Sequence, residues 1–290
     1  MEFFLKTIMI DFIRYTKLYF ALSIVVISAG LFTLVSQGLN LSIDFTGGSM
    51  LEYSFDKNIS SNDINKVFEK NNVAVSQITP QNEQRFIIRA ATMSETQERA
   101  VRDELKATQL RFDSVGPLLG SETMQKTLFA SVVAVLGILL YISFTFQKLS
   151  YGVAAIVALL HDVLVLFGIY ALLARFGAEV DTLFITAVLT TMSFSVHDTI
   201  VMFDKIREYK RTSGFGIEVL ANKALTETIV RSVNNSLTIV LMLVPLALFG
   251  GDAVRFFAAA LLIGTITGTY SSPCIATPLL VLLEKRRSTR

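Results

Sequence analysis

The sequence predicts a polytopic α-helical membrane protein: six transmembrane helices, with one water-exposed α+β domain of the ferredoxin-like kind between helices 1 and 2. Three observations carry this. Of 290 residues, 52% are hydrophobic and only 17% are charged; an ordinary soluble domain has about 45–50% and about 25%. Six segments are long and apolar enough, or nearly so, to cross a hydrocarbon layer, which takes about 20 helical residues. One block, residues 37–126, is instead polar and holds ten Lys and Arg. The net charge of +2 gives no signal for nucleic acid. A single cysteine excludes an internal disulfide and a Cys-based zinc site, and two histidines leave little for metal chemistry.

The division that follows is residues 1–36 (N-terminus and first span), 37–126 (α+β domain) and 127–290 (five further spans and C-terminus). The first span is Leu18 to Val35. Its basic lead-in resembles a signal peptide, but its apolar run exceeds the usual 7–15 residues and no small-residue cleavage site follows, so it reads as an uncleaved anchor. The next three are Thr127 to Phe146, Val153 to Leu173 and Thr182 to Phe203. The fifth is apolar only from Leu237 to Phe249 and must borrow from the polar run Arg231 to Ser236. The sixth lies within Ala253 to Leu283. Fourteen Lys and Arg fall on the side of the termini, against Arg175 and Arg255 in the short connections opposite. Positive charge stays inside, so both termini are expected in the cytoplasm and residues 37–126 across the membrane.

Within residues 37–126 the order reads strand, strand, helix, strand, strand, helix, strand. Leu51, Tyr53 and Phe55 alternate as in a strand. Ser61 is a candidate cap for a helix buried through Ile64, Val67 and Phe68. Val73 to Ile78 and Phe86 to Ala91 flank a turn, and Ser94 with Gln97 spells a capping box for a helix buried through Val101 and Leu105. This is a split βαβ pattern. Asp44-Phe45-Thr46-Gly47-Gly48 lies between two strand candidates and reads as a tight turn, because glycine tolerates positive φ. A phosphate cradle would need a following Lys and a helix start.

Ionisable residues inside the spans are few. His161-Asp162 lies in span three, near the midplane, and His197-Asp198 in span four, toward its cytoplasmic end. A central aspartate costs roughly 2.5–3.5 kcal/mol to insert, so each should face the bundle interior with a partner or a water path. Span four is polar along Thr186, Thr190, Ser193 and His197 and along Thr191, Ser195 and Asp198. Span five opens with Arg231, so Asp198 and Arg231 pair if the two spans touch. Such a pair either binds and releases a proton as the partner comes and goes, or is static and fixes helix register. In span six Gly264, Gly268 and Ser272 fall four apart, a stripe for close helix packing or, alternatively, a hinge. No H-E-x-x-H and no G-x-S-x-G is present; neither an enzyme, a cofactor nor a metal centre is expected.

These residues carry a resemblance. Asp44-Phe45-Thr46-Gly47-Gly48, His161-Asp162, Asp198-Thr199-Ile200-Val201 with Phe203-Asp204-Lys205-Ile206-Arg207-Glu208, and Gly264, Gly268-Thr269 with Ser271-Ser272 together resemble the SecD/SecF family of bacterial protein-export subunits. The resemblance covers nearly the whole chain and is closest on the SecF side. It implies half of a resistance-nodulation-division fold in the inner membrane, completed as a heterodimer by SecD. It implies, too, use of the proton-motive force to promote preprotein export through SecYEG and its small associated subunits. By resemblance the proton pathway carries over to Asp198 and Arg231, with His161, Asp162 and His197 beside it. The family usually has Asn where this chain has His197, which either tunes the path or replaces Asn as a neutral hydrogen-bonding group. An autonomous proton-coupled transporter of small molecules or lipids, built on the same half-fold, is the alternative.

Overall fold

The computed structural model describes residues 11–146 and 148–288. It divides into two compact units, Met1–Leu39, Ser131–Ala178 and Leu183–Arg290 on the one hand, and Asn40–Ala130 with Glu179–Thr182 on the other.

The smaller unit follows the strand and helix order of a ferredoxin-like module. It runs α2 (Ile43–Thr46), β1 (Gly48–Ser54), α3 (Ser61–Lys70), β2 (Val75–Pro80), β3 (Arg85–Ala90), α4 (Glu95–Leu105) and β4 (Thr108–Val115), after α1 (Thr16–Gln37) of the larger unit. The sheet is antiparallel with order β2-β3-β1-β4. Alternation along β1 buries Leu51 and Tyr53, and these pack with Ile64, Phe68, Ile88 and Val101 in one apolar core. The Ser94–Gln97 capping box forms. The other helix is capped by Ser60, one residue before the expected Ser61, with its side chain accepting from the Asp63 N–H. Inside the core Tyr53 donates to Glu98 at 3.0 Å; burial and that carboxylate push the phenol above its ordinary range.

The strand expected before Asp44 is reduced to the single Leu41–Val180 bridge, and residues 43–46 form a helical turn capped by Ser42, whose side chain accepts from the Asp44 N–H. The hydrophobic Ile43 and Phe45 sit two apart, as in a strand, yet the local side-chain-to-backbone bond wins. Gly47 and Gly48 do take positive φ, +70° and +123°.

The larger unit holds the spans. They are α1 (Thr16–Gln37), α5 (Pro117–Thr145, shared with the smaller unit), α6 (Leu149–Leu173), α7 (Thr182–Thr212), α8 (Ile217–Phe249) and α9 (Asp252–Ser271) continued by α10 (Thr277–Ser288). Among the described residues six helices are long and apolar enough to cross a membrane. The polar run Arg231 to Ser236 lies inside the single continuous helix α8, so the fifth span borrows it in full. Between α9 and α10 the helix widens into a π-turn at Ser272–Ala276. Pro273 has no N–H to give the ladder there, a standard cause of such a break. Burial is uneven: α6 is buried along half its apolar window, whereas α1, α5 and α8 expose almost all of theirs. The sixth span, α9 with α10, is buried still further and α7 nearly as far, so α6, α7 and α9–α10 together form the inner part of the bundle. Helix α6 meets α1 backbone to backbone, where a Cβ on Gly168 would lie 2.5 Å from Gly30 Cα.

Candidate functional site

Two polar centres lie in the larger unit. The first is closed. Asp162 on α6 is 6% exposed. Its Oδ2 accepts from Ser271 of α9 at 2.7 Å and from Ser195 of α7. Its Oδ1 lies 2.9 Å from His161 Nδ1. The network assigns the proton to Nδ1, leaving Nε2 to accept from Ser23 of α1 at 3.1 Å and Tyr270 at 3.3 Å. One carboxylate thus takes three donors, and the cluster ties α1, α6, α7 and α9 together. Ser271 stands at the last turn of α9, just before the π-turn, and the adjacent Ser272 exchanges a hydrogen bond with Thr199 at 2.8 Å. Ser23, His161 and Asp162 follow the order of a hydrolase triad, but Ser23 is itself buried, so its hydroxyl is not presented to a substrate.

The second centre is open. Asp198 on α7 is half-buried and His197 is exposed on the outer face. Asp198 hydrogen-bonds Ser232 of α8, with the charges of His197 and Arg231 acting on it. The expected Asp198–Arg231 ion pair does not form within 4 Å among the described residues. The reason is helical phase: successive residues turn about 100°, so Ser232 is buried toward α7 while Arg231 points outward. With Asn234, Asn235 and Thr238, Arg231 lines an open polar face of α8. Asp198 also borders a small cavity of about 10 Å³, open to a water-sized sphere, shared with Ser195, Asn235, Ser236, Thr265 and Thr269. That is about the least space that holds one water. The buried Thr265 hydroxyl at its wall has no protein partner. Ser195 therefore borders both centres: its hydroxyl is on Asp162 and its residue lines the cavity of Asp198.

The small-residue stripe of α9 lies along α7. A Cβ on Gly264 would fall 2.3 Å from Thr191 Cγ2, and one on Gly268 3.1 Å from Ser195 Cβ. Contact this close is what brings Ser195 and Thr199 within reach of α6 and the π-turn. Among the described residues no three His, Cys, Asp or Glu side chains converge as a metal site would require.

The glycine motif sits in the smaller unit. Asp44 accepts from the Thr182 hydroxyl at 3.2 Å, beside the Leu41–Val180 bridge and the Ser42 N–H to Val180 carbonyl bond at 3.0 Å. Gly47 packs on Pro117, where a Cβ would lie 2.7 Å from Pro117 Cα. Arg89 pairs with Glu179. The motif is thus more than a turn: it seats residues 179–182 and the start of α5 on the domain. Sequence reasoning missed Ser195 and Ser271 as partners of Asp162, Ser23 as the partner of His161 and Ser232 as the partner of Asp198.

The chain matches the profile "Protein export membrane protein SecD/SecF, C-terminal" over residues 94–286 and "SecD/SecF GG Motif" over residues 32–59. It is 40% identical to a protein translocase subunit SecF of Thermobaculum terrenum, covering 96% of this chain and 95% of that one. Against the corresponding protein of Anaerolinea thermophila it is 38% identical, covering 95% and 94%. The crystal structure of SecDF from Thermus thermophilus, a translocon-associated membrane protein, superposes with a TM-score of 0.83 at 31% identity, over 96% of this chain and 39% of that one. Two sequence profiles, near full-length relatives and a shared fold agree: the chain belongs to the SecD/SecF family of protein-export membrane proteins.

Proposed function

We propose that this Sec translocase accessory subunit works as a heterodimer with SecD and uses the proton-motive force to promote preprotein export through SecYEG. Asp198 is the proton carrier. The observation that carries this is the contrast of its surroundings with those of Asp162: one protein hydrogen-bond donor instead of three, half-burial and a water-sized cavity. A carboxylate so placed can gain and lose a proton without dismantling the bundle. Arg231, one residue from Ser232, raises or lowers its affinity for that proton by approaching or withdrawing. His197 acts on it through charge. Ser195 links it to Asp162 and His161, which hold the helices in register. One unit charge crossing 100 mV gains about 2.3 kcal/mol, enough to shift a two-state bundle.

The SecD pairing is supported by polar surface. Ser193 and His197 on α7 and Arg231, Asn234 and Asn235 on α8 are exposed on segments that are otherwise apolar. Such groups are costly against lipid and call for a protein partner. Relatives in which both halves form one chain, such as the SecDF of Thermus thermophilus, fit that reading. The Lys and Arg excess supports an inner-membrane orientation with both termini cytoplasmic and residues 37–126 periplasmic.

The test is preprotein translocation into inner-membrane vesicles carrying SecD, SecYEG and either wild-type chain or Asp198→Asn, with and without a proton gradient. Loss of only the gradient-dependent part is the expected result. Wild-type behaviour in both conditions would make Asp198 structural and overturn the proposal.

A further inference from the structure

Where α5 ends and α6 begins, against the charged end of α7, lies a pocket of about 290 Å³ lined by Phe146, Lys148, Tyr151, Arg207, Lys210 and Arg211. Four of its six lining residues are cationic. Their compensation is incomplete. The buried Glu284 of α10 takes Lys210 closely and Lys148 at 3.8 Å. Asp204 takes Arg207 at 2.8 Å. Arg211 enters no ion pair among the described residues. Two carboxylates against four cations leave the pocket about two charges positive. The N-terminus of the 25-residue helix α6 opens here without a side-chain cap, which adds the positive end of its dipole.

We propose that this pocket binds the phosphate-bearing headgroup of an anionic phospholipid. The chemistry is that of a phosphodiester: one or two negative charges and several acceptor oxygens, met by lysines and by the forked donors of Arg211. Position selects a lipid over a soluble phosphate. The pocket stands at the level where the helices pass from apolar to charged, between Phe203 and Arg207 on α7 and at Phe146 to Lys148, the level of headgroups. Next to it in the chain, Phe144 is 85% exposed and Leu149 80%, an apolar surface for acyl chains. The buried rings of Phe146, Tyr151 and Phe203 stack edge to face and back to back behind it, which makes the floor rigid. Basic pockets of this kind between spans, on the side rich in Lys and Arg, suit anionic lipid. The site stands apart from Asp198 and does not rest on the proton-coupling reading.

The experiment is native mass spectrometry of the full chain in detergent, titrated with phosphatidylglycerol, cardiolipin, phosphatidylcholine or inorganic phosphate. Wild type is expected to hold both anionic lipids at least about tenfold more tightly than phosphatidylcholine. Each cation removed should weaken them about fivefold, from about 1 kcal/mol per charge. The double variant Lys148→Gln, Arg211→Gln should therefore lose about 25-fold. It leaves Lys210 on Glu284, so no carboxylate is stranded. Lys57→Gln with Arg99→Gln, exposed in the smaller unit, removes the same charge elsewhere and should change nothing. Equal retention of phosphatidylglycerol and phosphatidylcholine would overturn the proposal. So would unchanged anionic binding in the double variant, or equal weakening in the charge-matched control. Saturation by inorganic phosphate with no lipid retained would assign the pocket to a soluble anion instead.

Discussion

The same dipeptide, His-Asp, occurs on α6 and on α7, and its two copies have opposite surroundings. At Asp162 every neighbouring helix contributes a donor: Ser271 from α9, Ser195 from α7, and His161 in turn held by Ser23 of α1. At Asp198 only Ser232 donates, the histidine faces outward, and a cavity adjoins the carboxylate. Position in the bundle makes the difference. At Asp162 helix α6 faces α7 and α9, both well buried themselves; α7 at residue 198 borders α8, which is exposed along most of its length. A buried carboxylate given three donors is a clasp, because displacing it would break a network in a medium of low dielectric. One given a single donor and room for water is free to change state. The lesson is that residue identity and depth do not assign a role to an intramembrane aspartate; the count of its donors does.

The sharpest way to break this contrast is to delete each carboxylate. Asp162→Ala takes the acceptor from the Ser195 hydroxyl and the His161 N–H, and leaves the Ser271 hydroxyl only the Gly268 carbonyl at 3.3 Å. The Ser195 and Ser271 bonds cross between helices, and at about 0.6–1.7 kcal/mol for each in a membrane the loss should total about 1–3.5 kcal/mol. Asp198→Ala gives up one such bond and should cost about 1 kcal/mol or less. Thermal unfolding of the detergent-solubilised chain, followed by circular dichroism, reads both. Equal destabilisation by the two variants would show that Asp198 is a clasp as well.

Next in size is the packing that sets up both centres. Gly264→Val drives a side chain into Thr191, which a single Cβ would already approach to 2.3 Å. Overpacking of this kind costs about 1–3 kcal/mol. Gly137 on α5 has nothing within 4 Å of a built Cβ, so Gly137→Ala should be neutral or slightly stabilising, since alanine favours helix by up to about 1 kcal/mol. The same unfolding assay decides. If the two substitutions behaved alike, the α7–α9 contact could not be what holds Ser195 against Asp162.

Much of this was readable before any coordinates, and the part that was not has a common cause. The spans, the two buried faces of the domain helices, the Ser94–Gln97 capping box and the positive φ of Gly47 and Gly48 all follow from local pattern. The donors to Asp162 do not. A hydroxyl on a membrane helix can satisfy itself on its own backbone, as Thr190, Thr228 and Thr267 do with carbonyls four residues back. Ser23 and Ser195 look the same in sequence, and only the rotation of neighbouring helices makes them reach across. Glu284 was hidden by the basic run that follows it. The strand expected before Asp44 shrinks to one bridge because Ser42 caps a helical turn directly after it.

A carboxylate outside the membrane offers an intermediate case that sharpens the comparison. Glu179 is paired with Arg89, yet burial outweighs the pairing and its pKa lies above the ordinary glutamate value. A raised acid pKa means the folded state holds the proton longer than the unfolded state. Glu179 is therefore without penalty below about pH 4.3, and its contribution turns unfavourable as pH rises through the folded value. Glu179→Gln removes that dependence. The melting difference between variant and wild type should move in the variant's favour between about pH 4 and pH 7. Arg89→Ala, which takes the paired cation from the ionised carboxylate and leaves the more remote charge of Arg111, should do the reverse. A pH-independent difference would show the pair to be an ordinary surface contact.

The smallest effect belongs to His197→Asn. The ring lies on the exposed face of α7 and reaches Asp198 only through charge. Asparagine keeps a donor and an acceptor at the same place. Melting should therefore stay within about 0.5 kcal/mol of wild type, as for most exposed substitutions. Gradient-driven translocation should hold to within about twofold at about pH 7.5. Measuring the same rate down to about pH 6 isolates any electrostatic influence on Asp198. Superimposable profiles would make His197 a hydrogen-bonding replacement and leave Asp198 and its cavity as the whole of the open centre. A variant whose profile departs only on the acid side would extend that centre outward to the ring, onto the face proposed to meet SecD.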